Sequence, residues 1–172
     1  MPLNSPMPDP NKAEKNGVLY VVATPIGNRD DITLRALDVL REVDLIAAED
    51  TRKSGSLLSY YRIKNRLISF HEHNAEKRTP ELIDKLLDGT TIALVSNAGT
   101  PLISDPGYRL IEAAIANNIT VTPIPGVTAA TAAMSVSGLP TDEYIFIGFP
   151  ARKKGARKQQ LDRLAREPRT LV

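Results

Sequence analysis

The longest chemically suggestive segment runs Ser96-Asn97-Ala98-Gly99-Thr100-Pro101-Leu102-Ile103-Ser104-Asp105-Pro106-Gly107. It follows an apolar run and precedes a helical pattern, yet it is too long and proline-rich for a simple strand-to-helix turn. Gly99 permits a close backbone approach, and the prolines lower the entropy lost on ordering the loop. Exposed N–H and C=O groups on such a loop suit an amino-acid moiety and a ribose. The plainer alternative is a rigid connection in which Asp105 caps the next helix.

Two further segments carry titratable groups. In Glu49-Asp50-Thr51-Arg52, Asp50 and Arg52 can orient a substrate hydroxyl or grip a phosphate, or Asp50 can simply cap a helix. In His71-Glu72-His73-Asn74, a continuing strand would project both histidines to one side. No third strong ligand is evident, which argues against a metal and for substrate binding or plain loop structure. Common nucleotide signatures are absent: there is no P-loop, and the first turn reads Thr24-Pro25-Ile26-Gly27-Asn28 rather than a glycine-rich dinucleotide fingerprint.

The elements that must position these segments alternate. Apolar runs at 18–23, 43–48, 67–70, 91–95 and 119–124 read as strands. Helical patterns follow at 34–40, from 51 to about 61, at 80–87 (Thr79 as cap, Pro80 at the first position), at 108–116 and at 127–136. A further strand is expected at 144–149 and a helix near 157–166. Continuous rather than alternating apolar runs imply an α/β fold, a parallel sheet with helices on both faces. Ligands of such sheets bind beyond the carboxyl ends of the strands. The polar and Gly/Pro-rich segments at 25–28, 49–52, 71–74, 96–101 and 125–128 all fall there.

Composition narrows the class. The chain has 172 residues, 42% hydrophobic and 24% charged, which is ordinary for a globular protein. It has no cysteine, so disulfides and thiolate metal sites are excluded. Residues 1–16 read as a disordered tail without the apolar core of a secretory signal. No run approaches the roughly 18 apolar residues of a membrane helix, so a soluble, cytoplasmic protein is expected. Net charge is only +2, but residues 151–169 hold eight basic residues against two acidic ones. That stretch can neutralise phosphates, or it can be a solvated linker and helix face.

Taken together, Thr24–Asn28, Ala48–Arg52, the 96–108 loop, Pro125-Gly126 and Gly138-Leu139-Pro140 resemble the tetrapyrrole (corrin/porphyrin) methylase superfamily, and within it the branch that methylates small-subunit ribosomal RNA. The resemblance runs from about Gly17 to Val172. It implies a five-stranded parallel sheet in an N-terminal domain (17–141), then a linker and the start of a second α/β domain (142–172). It also implies S-adenosyl-L-methionine as cofactor, held between the domains. Pro25, Ala98, Gly99, Thr100, Ile103 and Ser104 would touch it, with Thr128 and Ala129 after the Pro-Gly turn.

The implied activity is 2′-O-methylation of a cytidine in 16S rRNA within the 30S subunit, usually by a homodimer. Asp50 and Arg52 are the catalytic candidates. Asn28, Arg52, His71, His73, Asn74, Arg152, Lys153 and Lys154 would bind RNA. Methylation of a tetrapyrrole, or a non-catalytic ligand-binding or dimerising role, are the competing readings. The resembling loop commonly carries Asp where this chain has Asn97. The family continues well past Val172, so this chain is expected to hold one wall of an active site and to be inactive alone.

Overall fold

The computed structural model describes residues 16–172; the expected tail lies, apart from residue 16, outside them. Five strands form one parallel sheet: β1 (Val18–Val22), β2 (Leu45–Ala48), β3 (Leu67–Ser69), β4 (Ile92–Val95) and β5 (Thr120–Ile124), in the order β3-β2-β4-β1-β5. The helices joining them are α1 (Leu34–Glu42), α2 (Thr51–Tyr60), α3 (Ala75–Leu87) and α4 (Tyr108–Ala116).

Strand order dictates where the helices go. The chain moves one way across the sheet from β1 to β2 to β3, then reverses to place β4 and β5. Right-handed crossovers in opposite directions put their helices on opposite faces. Side-chain alternation agrees. Leu45 and Ala47 of β2 pack with Leu82 and Leu86 of α3 and Leu110 of α4. Ile46 and Ala48 pack with Leu37 and Leu40 of α1 and Leu58 of α2. Leu82, Leu86, Ile92 and Leu110 are fully buried, each stabilising the fold by roughly 1.5–3 kcal/mol relative to exposure. Because β1 and β4 are neighbours whose connections depart to opposite faces, a crevice is expected between their carboxyl ends.

Several boundaries differ from the sequence expectation. Helix α3 begins at Ala75, a full turn before Thr79, and carries Pro80 inside it. The start is set by a turn: the backbone N–H groups of Asn74 and Ala75 donate to the His71 carbonyl at 3.0 and 2.9 Å. Thr79 is therefore buried mid-helix, its hydroxyl unpaired, rather than capping. The strand expected at 144–149 is only Tyr144–Ile145 (β6), paired in parallel with β7 (Thr170–Leu171). Helices α5 (Ala129–Ser135) and α6 (Lys154–Leu164) complete the chain. No residue beyond Ile124 is buried.

Candidate functional site

The site assembles where β1 and β4 end. Thr24 and Gly99 exchange backbone hydrogen bonds in both directions, each 2.9 Å, tying the first turn to the long loop. The Thr24 hydroxyl donates to the Ser96 carbonyl at 3.3 Å. Gly99 has φ 79°, a conformation most side chains resist. The Thr100 hydroxyl donates to the Val127 carbonyl at 3.5 Å, which brings the β5–α5 turn alongside. That turn lies hard against β1: a Cβ on Gly126 would sit 2.7 Å from the Ala23 Cβ.

Thus the first turn, the 98–100 loop and the β5–α5 turn, which carry Pro25, Ala98, Gly99, Thr100, Thr128 and Ala129, lie side by side at the carboxyl edge of the sheet. Thr128 caps α5, its hydroxyl accepting from the Thr131 N–H at 3.2 Å. Ala129 is the first residue of that helix. Leu102 (φ 75°) and Ser104 (φ 67°) hold left-handed backbone without being glycine. Such strain costs of order 1–3 kcal/mol per residue and concentrates at functional sites. Ser104 faces the chain's C-terminal part, since a Cβ on Gly148 would lie 2.9 Å from its hydroxyl. Ile103 is about half exposed. Asp105 does not cap α4; Gly107 takes that position, with no side-chain bond.

Asp50 caps α2, its Oδ1 accepting from the Arg52 N–H at 2.9 Å. Arg52 also grips both carboxylate oxygens, Nε to Oδ1 at 3.2 Å and a terminal nitrogen to Oδ2 at 2.9 Å. These bonds hold the Asp50 carboxyl down at about 2. Asp50 is therefore ionised at neutral pH and a weak proton acceptor, better suited to orienting than to deprotonating. The cap and the functional candidate are the same residue.

The strand does not continue through the histidines. It ends at Ser69, and 71–74 form a turn in which Asn74 Oδ1 accepts from the His71 N–H at 2.8 Å. The Asn74 amide donates to the Ser69 carbonyl and hydroxyl at 3.2 and 3.1 Å. The His71 and His73 rings lie edge to face, 6.0 Å apart. Asn74 thus organises the turn, while His71 Nδ1 is buried without a partner. Among the described residues no cluster of three His, Asp or Glu is arranged to hold a metal ion.

Sequence reasoning missed a cavity of about 260 Å³ between the first turn and α2. Pro25 and Asn97 line it, with Arg29, Lys53 and Ser54. Its inner wall is apolar, from Ile46, Leu58 and Val95. Arg29 sits in a one-turn 3-10 helix capped by Asn28, whose Oδ1 accepts from the Asp30 N–H at 3.2 Å. The Arg29 guanidinium stacks on the Tyr60 ring at 4.6 Å, and the Tyr61 hydroxyl donates to the Arg29 carbonyl at 2.6 Å. Asn97 donates its N–H to Glu49 at 3.0 Å, while its Oδ1 is buried and unpaired. Burial, and then the charge of Glu49, raise the Asp105 carboxyl above its ordinary range; Ser96 pulls the other way. An ordinary-looking Arg and Lys gave no sequence signal; the Asn97 departure did.

Arg152, Lys153 and Lys154 lead into α6 and are exposed. Among the basic residues of 151–169, Lys158 and Arg169 are paired internally, with Asp162 and Glu167. Among the described residues, the Arg152, Lys153 and Lys154 side chains make no hydrogen bond to the crevice. No helix among the described residues is long and apolar enough to cross a membrane.

This arrangement has parallels in known proteins. A family profile described as Tetrapyrrole (Corrin/Porphyrin) Methylases matches residues 18–172. The chain is 54% identical over 156 residues to "Ribosomal RNA small subunit methyltransferase I" of Synechocystis, covering 91% of this chain and 56% of that protein. It is 52% identical over 159 residues to the protein of the same name from Halalkalibacterium halodurans, covering 92% and 55%. The chain therefore spans about half the length of the curated relatives it matches. A uroporphyrin III C-methyltransferase structure from Thermus thermophilus superposes with TM-score 0.60 at 19% identity, covering 89% of this chain and 78% of that one. That likeness establishes the shared fold. With the profile spanning nearly all of the described residues, the chain belongs to the tetrapyrrole (corrin/porphyrin) methylase family.

Proposed function

We propose that a protein containing this chain is an S-adenosyl-L-methionine-dependent methyltransferase acting on a ribose 2′-hydroxyl of a cytidine in 16S rRNA. The observation that carries the reading is the crevice itself. Three backbone segments, locked by the Thr24–Gly99 and Thr100–Val127 bonds, present strained loop backbone beside a cavity with a cationic rim. The relatives at about half identity are named for ribosomal RNA methylation. The tetrapyrrole reading has the family profile and the fold likeness behind it, whereas the relatives at about half identity favour RNA.

The fit of the cofactor rests on the loop. Gly99 pins the loop to Thr24 through its own N–H and carbonyl, and the left-handed residues Leu102 and Ser104 re-aim the backbone that follows, which would take the amino-acid and ribose ends of that molecule. When bound, it supplies an electrophilic methyl group on sulfonium. The chain's own residues position the nucleophile. The Asp50 carboxylate, ionised and fixed by Arg52, accepts a hydrogen bond from the ribose hydroxyl and aligns its oxygen. The proton leaves to water, because a carboxyl held at about 2 does not retain it. Asn28, His71, His73 and Asn74 border the RNA path, and Arg152, Lys153 and Lys154 neutralise phosphates beyond it. A cytoplasmic homodimer engaging the 30S subunit completes the reading.

The test is transfer of labelled methyl groups to 30S subunits by a protein of the relatives' full length. Asp50→Ala should cut transfer by roughly tenfold or more while cofactor binding persists. Unchanged turnover removes Asp50 from the mechanism, and absence of transfer to RNA with transfer to a tetrapyrrole overturns the substrate class. Calorimetry with the cofactor should show weaker binding to this chain, which spans about half the length of its curated relatives, than to a protein of their full length.

A further inference from the structure

A second groove lies outside the crevice, between the chain that follows β6 and helix α6, with a volume of about 730 Å³. Phe149 forms one side of it. Gln159, Gln160, Asp162 and Arg163 of α6 line the other, with two alanines. Phe149 is 84% exposed, yet its position is fixed from both ends. The Ile147 N–H donates to the Val172 carbonyl at 2.6 Å, and the Ala151 N–H donates to Gln160 Oε1 at 2.9 Å. Gly148 has φ 73° and packs on the Ser104 hydroxyl, where a Cβ would lie 2.9 Å away. Two tethers and a left-handed glycine thus hold a large apolar ring in water, although burial would stabilise it.

The opposite wall decides what suits that ring. An apolar partner lying on Phe149 would strip water from Gln159, Asp162 and Arg163 without replacing their hydrogen bonds, which is costly. A nucleobase meets both walls, because its faces are apolar and its edges carry donors and acceptors. Aromatic rings and guanidinium planes are the surfaces on which unpaired bases stack, while polar side chains bond their edges. The surrounding charge fits the strand that carries such bases. Arg152, Lys153, Lys154 and Arg157 are exposed, and neither they nor Arg163 make an ion pair among the described residues. The one carboxylate of the groove, Asp162, is held by Lys158 at 2.8 Å.

We propose that this groove is a second nucleotide subsite, in which one unpaired base of single-stranded RNA stacks on Phe149 with Gln159 and Arg163 beside it. The four cations leading into α6 take the flanking phosphates. The assignment rests on the RNA reading above and adds a contact outside the methyl-transfer position, made by a ring that accepts any base. Because Gly148 lies on Ser104, the groove adjoins the loop assigned to the cofactor. A base seated on Phe149 therefore belongs to the strand that enters the site, and it holds neighbouring nucleotides at the crevice. The backbone that carries the ring is already fixed, which lowers the entropy lost when a base settles on it.

The experiment is fluorescence anisotropy of the full chain with two labelled strands, a uridine decamer and an abasic strand of the same length and charge. Phe149→Ala should weaken binding of the decamer about tenfold, the scale of one lost base–aromatic stack, and leave the abasic strand unchanged. Phe149→Trp should bind the decamer at least as tightly as the unaltered protein. It also introduces a single tryptophan into a chain that has none, and its emission should be quenched by the decamer but not by the abasic strand. The same substitution in a protein of the relatives' full length tests whether the ring is covered. Without RNA the indole should stay open to acrylamide; shielding would show that the rest of that protein lies on the ring, and would overturn the subsite. Equal weakening of both strands by Phe149→Ala, or an unchanged affinity for the decamer, overturns it too; if 30S methylation by the full-length protein persists, the groove alone fails. Failure of both strands to bind overturns the groove assignment, and absence of 30S methylation besides overturns the RNA reading as well.

Discussion

Residues 17–124 and residues 125–172 are built by different means. The first region encloses two apolar clusters, one on each face of the sheet. The second contains no buried residue, and it leaves Val136 and Phe149 84% exposed. Its strands β6 and β7 pair over only two residues each. Order in the first region comes from burial, and in the second from a short backbone ladder and a helix with no apolar face. Yet the crevice draws on both: Thr100 meets Val127, and Ser104 meets Gly148. One wall of the site is therefore held by a core, and the other is held mainly by contact with the first.

The largest expected contrast is in native-state hydrogen exchange. Amides of β1 and β4 open only with global unfolding, while those of Ile147 and Val172, bonded across the β6–β7 pair, open locally. Exchange at Leu94 should be slower than at Ile147 by on the order of a thousandfold or more. Equal protection would break the comparison, because it would show one cooperative unit despite the exposed surface.

Mutational stability should follow the same division with a smaller amplitude. Leu82 is fully buried between α3 and the sheet, so Leu82→Ala should cost about 2–5 kcal/mol in denaturant unfolding. Phe149, a larger side chain but 84% exposed, should change stability by no more than about 0.5 kcal/mol on truncation to Ala. A large effect at Phe149 would mean that it packs in solution against something not seen in the described residues.

The same division explains what could be read from the sequence. The five strands were legible because each is a short apolar run ended by turn residues, and burial on both faces enforces that pattern. That their loops share one edge of the sheet was legible because Gly99, the prolines and the polar residues cluster after those runs, and the strands are all parallel. The α3 start was not, because Thr79-Pro80 imitates a helix beginning while the true start depends on a turn closed through the Asn74 side chain. Nor was the strand at 144–149: its apolar pattern has a neighbour in β7 only over Tyr144–Ile145. The cavity was invisible because Arg29, Lys53 and Ser54 are ordinary in sequence and converge only once α2 folds over the end of β1.

The smallest effect separates the edge of the site from the core beneath it. Arg52 holds the Asp50 carboxyl at about 2, first through the side-chain hydrogen bonds and then through the backbone N–H of the cap. A carboxyl depressed in the folded state favours folding above its ordinary range, and that contribution fades as pH falls through about 2. Between pH 4 and pH 2 the first turn of α2 should therefore loosen before the sheet does. Carboxyl-detected NMR titration should place the Asp50 midpoint near 2, and Arg52→Ala should move it up towards the ordinary 3.8. Because both groups are at the surface and Arg52 is 90% exposed, salt should weaken the pair. An Asp50 midpoint near 3.8 in the unaltered protein would show that the pair does not persist in solution, and Asp50 would then lose the fixed orientation its proposed role requires.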